Sequence, residues 1–124
     1  MTNPFRDSAK FMTACEQSIT GVNDEQFRMY AKLITEEYDE LQVAIANKDP
    51  VETLDALTDI LVVTIGAMNS MGADGEGAWK EVMATNFNKI DRRTGKVQRR
   101  EDGNAGRSVY KSSCCGICLC VCSY

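Results

Sequence analysis

Histidine is missing from all 124 residues. Its absence excludes Ser-His-Asp and Cys-His nucleophilic catalysis. It also excludes HExxH zinc hydrolases and the di-iron bundles built on Glu-x-x-His. A catalytic metal in this chain is therefore held mainly by oxygen, which favours Mg²⁺ or Mn²⁺ over zinc, copper or haem iron. Long apolar runs are missing too. The longest, "ILVV" and "IGAM", are separated by Thr64, and both fall far short of the ~20 residues that a membrane-spanning helix needs. Nothing resembles a signal peptide. We expect a cytoplasmic protein (host cytoplasm if the source is viral) with no membrane partner. Cysteine is scarce outside one tract: of six, Cys15 stands alone and five sit in "CCGICLCVC". Such close spacing builds no long-range disulfide framework, and no histidine or distant cysteine pair completes a zinc site. The last four residues, "VCSY", are no prenylation box.

What is present is acid, unevenly placed. Residues 1–90 carry 15 acids against 7 bases, a balance of −8, while residues 91–124 carry 3 acids against 7 bases, a balance of +4. An acidic body lacks the cations that neutralise phosphates, so no nucleic-acid partner is expected. A chain of this length suggests one domain with a modest core. Burial in an oligomer would add to it.

Apolar periodicity predicts four helices and no strand. Residues 5–19 place Phe5, Ala9, Met12, Cys15 and Ile19 at helical spacing, with Gly21 as the stop. Residues 24–47 follow, capped by Asn23 or Asp24, with a core stripe of Phe27, Tyr30, Ala31, Ile34, Tyr38, Leu41 and Ile45. A third helix begins at "DPVE", where Asp49 caps, Pro50 takes the first helical position and Glu52 stands where a capping box wants it. It runs to about Met71, ends at Gly72, and is apolar nearly all round from Ile60, which predicts a central, buried helix. The fourth, about 75–91, carries Trp79, Val82, Met83, Phe87 and Ile90. Residues 94–103 read as a short extended arm around "TGK". Residues 101–124 are turn-rich, aperiodic and cysteine-rich, and read as a disordered tail after a folded domain of residues 1–100.

Ten residues, "LITEEYDELQ", hold three glutamates and an aspartate beside core positions. At about 100° per residue, Glu36, Glu37 and Glu40 share one arc whose Glu37 edge borders the apolar stripe, and Asp39 points elsewhere. On the third helix Glu52, Asp55 and Asp59 fall within roughly 60° of one another. If the two ridges face each other, five or six carboxylates converge. Acid runs on helices are usually solvated faces. Asp55 and Asp59, however, are an i,i+4 like-charge pair, which destabilises a helix. Asp59 also directly precedes the most apolar stretch, where a carboxylate needs a cation. On the fourth helix Asn86 interrupts the apolar stripe and Lys89 follows one turn on, an amide and a cation suited to a nucleotide's base edge and phosphate. Trp79 offers a stacking surface.

The segments "EEYDE", "ETLDALTDILVVTIG", "MGAD" and "EVMATNFNKID…TGK…REDG", in this order, resemble the MazG-type all-α nucleoside triphosphate pyrophosphohydrolases. The likeness covers about residues 5–103. It is closest to the short, phage-type branch with a phosphoribosyl-ATP-pyrophosphohydrolase-like domain. The family's EExxE element falls on Glu36, Glu37 and Glu40, its ExxD element on Glu52 and Asp55, and its Asn-x-x-Lys element on Asn86 and Lys89. An alternative register places Asp59 at the family aspartate and Ala56 at the glutamate. The resemblance implies a four-helix bundle completed in a homodimer or homotetramer. It also implies Mg²⁺, with Mn²⁺ able to substitute, bound among Glu37, Glu40, Glu52, Asp55 and Asp59. Water would attack the α-phosphorus of a nucleoside triphosphate, with Glu36 or Glu37 as the base, releasing a monophosphate and pyrophosphate. Purines such as dGTP are the expected substrates. After "REDG" the sequence departs from the family's basic continuation. The alternative is a non-catalytic helical module whose acidic face binds a basic partner.

Overall fold

The structure, a computed structural model, describes residues 2–97. Four helices account for most of them: α1 (Pro4–Ala14), α2 (Asp24–Ala46), α3 (Pro50–Ser70) and α4 (Gly75–Phe87). Among the described residues there is no strand, only the isolated bridges Val22–Met71 and Ile90–Val97, so the fold is all-α. The chain divides into a compact unit ending at Ala78 and a second beginning at Trp79. The expected cysteine-rich tail, residues 101–124, lies outside the described residues, as does the end of the expected arm.

Each of the first three helices starts on a side-chain cap. Asn3 accepts from the backbone N–H groups of Phe5 and Arg6, Asn23 from Gln26, and Asp49 from Val51 and Glu52. These bonds satisfy N–H groups that have no partner inside the helix. The same three helices stop in the same way. The residue after the C-cap adopts a left-handed backbone, and the two N–H groups that follow the cap turn back onto the last carbonyls. In α1 Glu16 (φ 59) takes that place, in α2 Lys48 (φ 53), and in α3 Gly72 (φ 72). The closing bonds are Gln17 N to Met12 O at 2.9 Å, Asp49 N to Ala44 O at 3.1 Å and Ala73 N to Met68 O at 3.2 Å.

This pattern corrects the sequence-based boundaries. The first helix was expected to run to residue 19 and stop at Gly21. It ends at Ala14, because Glu16 rather than a glycine makes the stop. The fourth was expected to reach residue 91 and ends at Phe87. "TGK" is not extended. Gly95 (φ 66) turns the chain, with Gly95 N bonded to Asp91 O at 2.7 Å and Asp91 N to Lys96 O at 2.9 Å.

In the first unit α2 and α3 form an antiparallel hairpin, and α1 packs on α3. The core joins Met12, Tyr30, Val63 and Ala67, with Leu33 and Ile34 against them. The buried line of α2 therefore runs through Gln26, Tyr30, Leu33, Glu37 and Ala44, rotated from the expected stripe. Phe27, Tyr38 and Ile45 of that stripe are exposed. The stretch of α3 expected to be buried, from Ile60, is buried or half-buried throughout residues 63–70, while Leu61 and Val62 within it are exposed, as are Leu54 and Leu57 before it.

Candidate active site

The α2–α3 seam can be followed pair by pair. At one end the Gln26 side-chain amide donates to Ser70 Oγ at 2.8 Å and to the Ser18 carbonyl at 2.7 Å, a buried polar lock. One turn along, Tyr30 lies so close to Gly66 that any Cβ there would collide with its ring. Leu33 and Ile34 then meet Val63 in the core. One turn further the seam becomes acidic, and Glu37 of α2 comes under the repulsion of Asp59 and Asp55 of α3. The register set by the neutral end thus delivers the two carboxylate ridges to each other.

Glu37 is the centre of this group. It is half-buried, and its Oε2 is shielded from solvent with no hydrogen-bond donor among the described residues. Burial raises its pKa above the ordinary value, and repulsion from Glu40, Asp59, Asp55 and Glu36 adds to the rise. A shielded carboxylate oxygen among other acids lacks the partner that normally offsets desolvation. Glu36 differs: it is exposed, and Lys32 Nζ stands 3.6 Å from its Oε1, one turn away on the solvent side.

Beyond Glu37 the hairpin opens into a groove of about 430 Å³ lined by Asp39, Glu40, Asn47, Asp49, Glu52 and Asp55, floored by Val43, Ala44 and Ala56. The small side chains of Ala44 and Ala56, both buried, let the two helices meet beneath it. Asp39, expected to point away, lines this groove. Glu52 does as well, and its expected capping-box role does not occur. The Asp49 N–H that a capping box would bond is already spent on Ala44 O in closing α2. Asp49 ends one helix and starts the next, so Glu52 is left free to face the groove. Asn47 and Asp49 were not anticipated as lining residues, because only the tight α2–α3 connection brings them beside Glu52.

The donor set is all oxygen, the kind that suits Mg²⁺ or Mn²⁺. Among the described residues no three acids stand close enough to form a ready-made ion cage. The acids converge in field rather than in a closed ring of ligands.

The remaining candidates belong to the second unit. Asn86, expected to be a buried amide, is exposed, and its Oδ1 accepts from Lys89 Nζ at 3.1 Å. The pair is one turn apart on α4 and the residues just after it. Trp79 is exposed as well.

The sequence profile of the family described as phosphoribosyl-ATP pyrophosphohydrolase matches residues 10–86, more than half of the chain. The match spans α2 and α3 entirely, with both acid ridges, and ends at Asn86. No curated protein matches the chain.

Proposed function

Because the chain belongs to the phosphoribosyl-ATP pyrophosphohydrolase family, we propose that it is a metal-dependent nucleoside triphosphate pyrophosphohydrolase. The observation that carries the reading is Glu37, a shielded carboxylate without a donor among the described residues, set between the acids of two facing helices. Such a group calls for a cation. In this reading Glu37, Glu40, Asp55 and Asp59 hold Mg²⁺ or Mn²⁺, with Glu52 at the groove edge. When bound, the ion neutralises the triphosphate and lowers the pKa of bound water.

The chain's own part is proton transfer and positioning. Water attacks the α-phosphorus and a new P–O bond forms. The bond from that phosphorus to the bridging oxygen breaks, and pyrophosphate leaves with the electron pair. The proton passes to a carboxylate. Glu36, ion-paired to Lys32, and Glu37 are the two candidates for this role. Lys89 is proposed as a phosphate contact and Asn86 as a reader of the base edge. The exposed ring of Trp79 favours a purine, such as the base of dGTP, by stacking.

The test is pyrophosphate release from a panel of dNTPs with Mg²⁺, Mn²⁺ or chelator. Metal-dependent formation of monophosphate and pyrophosphate is expected. Release of orthophosphate, or no turnover with any dNTP, would sink the reading and favour an acidic module that binds a basic partner.

A further inference from the structure

The seam between α2 and α3 keeps one register from its polar end to its acids. Gln26 meets Ser70, Tyr30 meets Gly66, and Leu33 lies in one core with Val63. The steps from Gln26 through Tyr30 and Leu33 to Glu37 are four, three and four residues, and those from Ser70 back through Gly66 and Val63 to Asp59 are the same. This is the heptad spacing of two helices packed along a single line. One heptad carries Tyr30 to Glu37 and Gly66 to Asp59, so the acid pair stands on the same two faces as the aromatic–glycine pair, about 10.5 Å along the hairpin. The Tyr30–Gly66 contact has no slack on either side. A Cβ on Gly66 would run into the ring, so the ring lies against bare backbone. Tyr30 is buried in the core with Met12, Val63 and Ala67. Its hydroxyl donates to Gln17 Oε1, and Gln17 N is itself bonded to Met12 O at 2.9 Å. The thickness of one aromatic ring therefore fixes how closely the two helices approach at this level.

We infer that Tyr30 and Gly66 are positioning residues for Glu37 and Asp59: the ring on the bare backbone sets the helix separation at which acids from α2 and α3 serve one divalent cation. The inference rests on the metal site proposed above and adds to it two residues that touch neither metal nor substrate. Two turns of helix are stiff, so a separation fixed at Tyr30 is carried on to Glu37. Past the acids the helices are tied again, by the buried Ala44 and Ala56 and by the tight connection in which Asp49 N bonds Ala44 O at 3.1 Å. The carboxylates thus lie between two fixed points. A Cβ at position 66 would push α2 off α3 and widen the seam at the acids. A smaller side chain at position 30 would remove the stop and let the helices shift. Mg²⁺ demands near-ideal octahedral geometry, so a site for it tolerates displacements of only about 0.5 Å.

The test titrates Mn²⁺ alone into the full chain, following free Mn²⁺ by paramagnetic resonance below the melting temperature of every variant. Gly66→Ala and Tyr30→Leu are each expected to weaken Mn²⁺ binding by about tenfold or more, with the helical circular dichroism spectrum unchanged. The double variant Gly66→Ala/Tyr30→Leu sets a smaller side chain against the added Cβ and is expected to bind within about threefold of the wild type. Such mutual rescue is the mark of spacing, since two purely structural losses would add. Met12→Ala opens the same core away from the seam. It is expected to lower the melting temperature and leave Mn²⁺ affinity where it was. Should Gly66→Ala fail to fold, Tyr30→Leu against the double variant gives the same reading. Wild-type affinity in the single variants, a double variant as weak as Tyr30→Leu, or an equal loss in Met12→Ala would overturn the inference. Pyrophosphate release on the same samples keeps the readings apart. A wild type that binds Mn²⁺ without turnover counts against the proposed reaction alone, unaltered affinity in the variants counts against the positioning role alone, and a wild type that binds no Mn²⁺ overturns the metal site and the positioning role together.

Discussion

Glu37 carries the largest testable consequence of any single residue. Its folded pKa lies above the ordinary value of 4.5, through burial first and then through repulsion from four acids. A raised carboxyl pKa means that the folded, metal-free chain binds the proton more tightly than the unfolded chain does. Stability is therefore greatest below the ordinary pKa and falls as pH rises through the folded one. Glu37→Gln removes the charge but keeps the shape. In chelator it is expected to melt above the wild type at neutral pH, with the gap closing near pH 4. A gap of constant size across that range would show that charge is not the cause. Adding Mg²⁺ is expected to reverse the order, because an ion that binds only the folded state stabilises by mass action, ~2.7 kcal/mol at a hundredfold excess over its Kd. Glu37→Ala, Glu40→Ala and Asp55→Ala are each expected to lower pyrophosphate release by roughly a hundredfold or more while circular dichroism still reports helix. Near-normal turnover in all three would move the site elsewhere.

At the scale of elements, the terminations decide the boundaries, and two of them were hidden. Glycine at position 72 is a readable stop. Glutamate at 16 and lysine at 48 are not, since neither residue favours a left-handed backbone. That is why the end of α1 was misplaced while the end of α3 was not. Glu16→Gly is expected to raise stability by up to ~1 kcal/mol, because glycine adopts this conformation without strain; a lower melting temperature would argue that the Glu16 side chain contributes something the backbone does not explain. Periodicity located all four helices and both acid ridges, because 3.6-residue spacing survives in "LITEEYDELQ" and "ETLDALTDI". It missed the rotation of α2. Apolar side chains were assigned inward by type, yet Tyr38 and Ile45 face out while Glu37 faces α3. The close approach of Tyr30 to Gly66 helps set that rotation. A bare glycine in mid-helix gives no sign of the ring that sits on it. Gly66→Ala tests the point. Helix propensity alone favours alanine by ~1 kcal/mol, whereas the Cβ must displace the Tyr30 ring, an overpacking that typically costs ~1–3 kcal/mol. Net destabilisation is expected, and a rise in melting temperature would show that the ring moves freely.

For the whole molecule, the sequence's charge asymmetry and the distribution of the proposed site point to the same division. Every proposed metal ligand precedes residue 60, and Asn86 and Lys89 precede residue 90, as does the family match. The residues after Gly103 follow both acid ridges in the sequence. Their composition is of another kind, with five cysteines in nine residues and no acid after Asp102. Cysteine sulfur is a poor ligand for Mg²⁺, so the proposed chemistry draws nothing from that tract. A chain ending at Gly103 is therefore expected to release pyrophosphate from dNTPs at a rate within a few-fold of the full chain and to keep its sedimentation behaviour. A large loss of turnover with sedimentation unchanged would show that residues 104–124 take part in holding substrate. A change in sedimentation with turnover unchanged would assign them instead to a contact between copies.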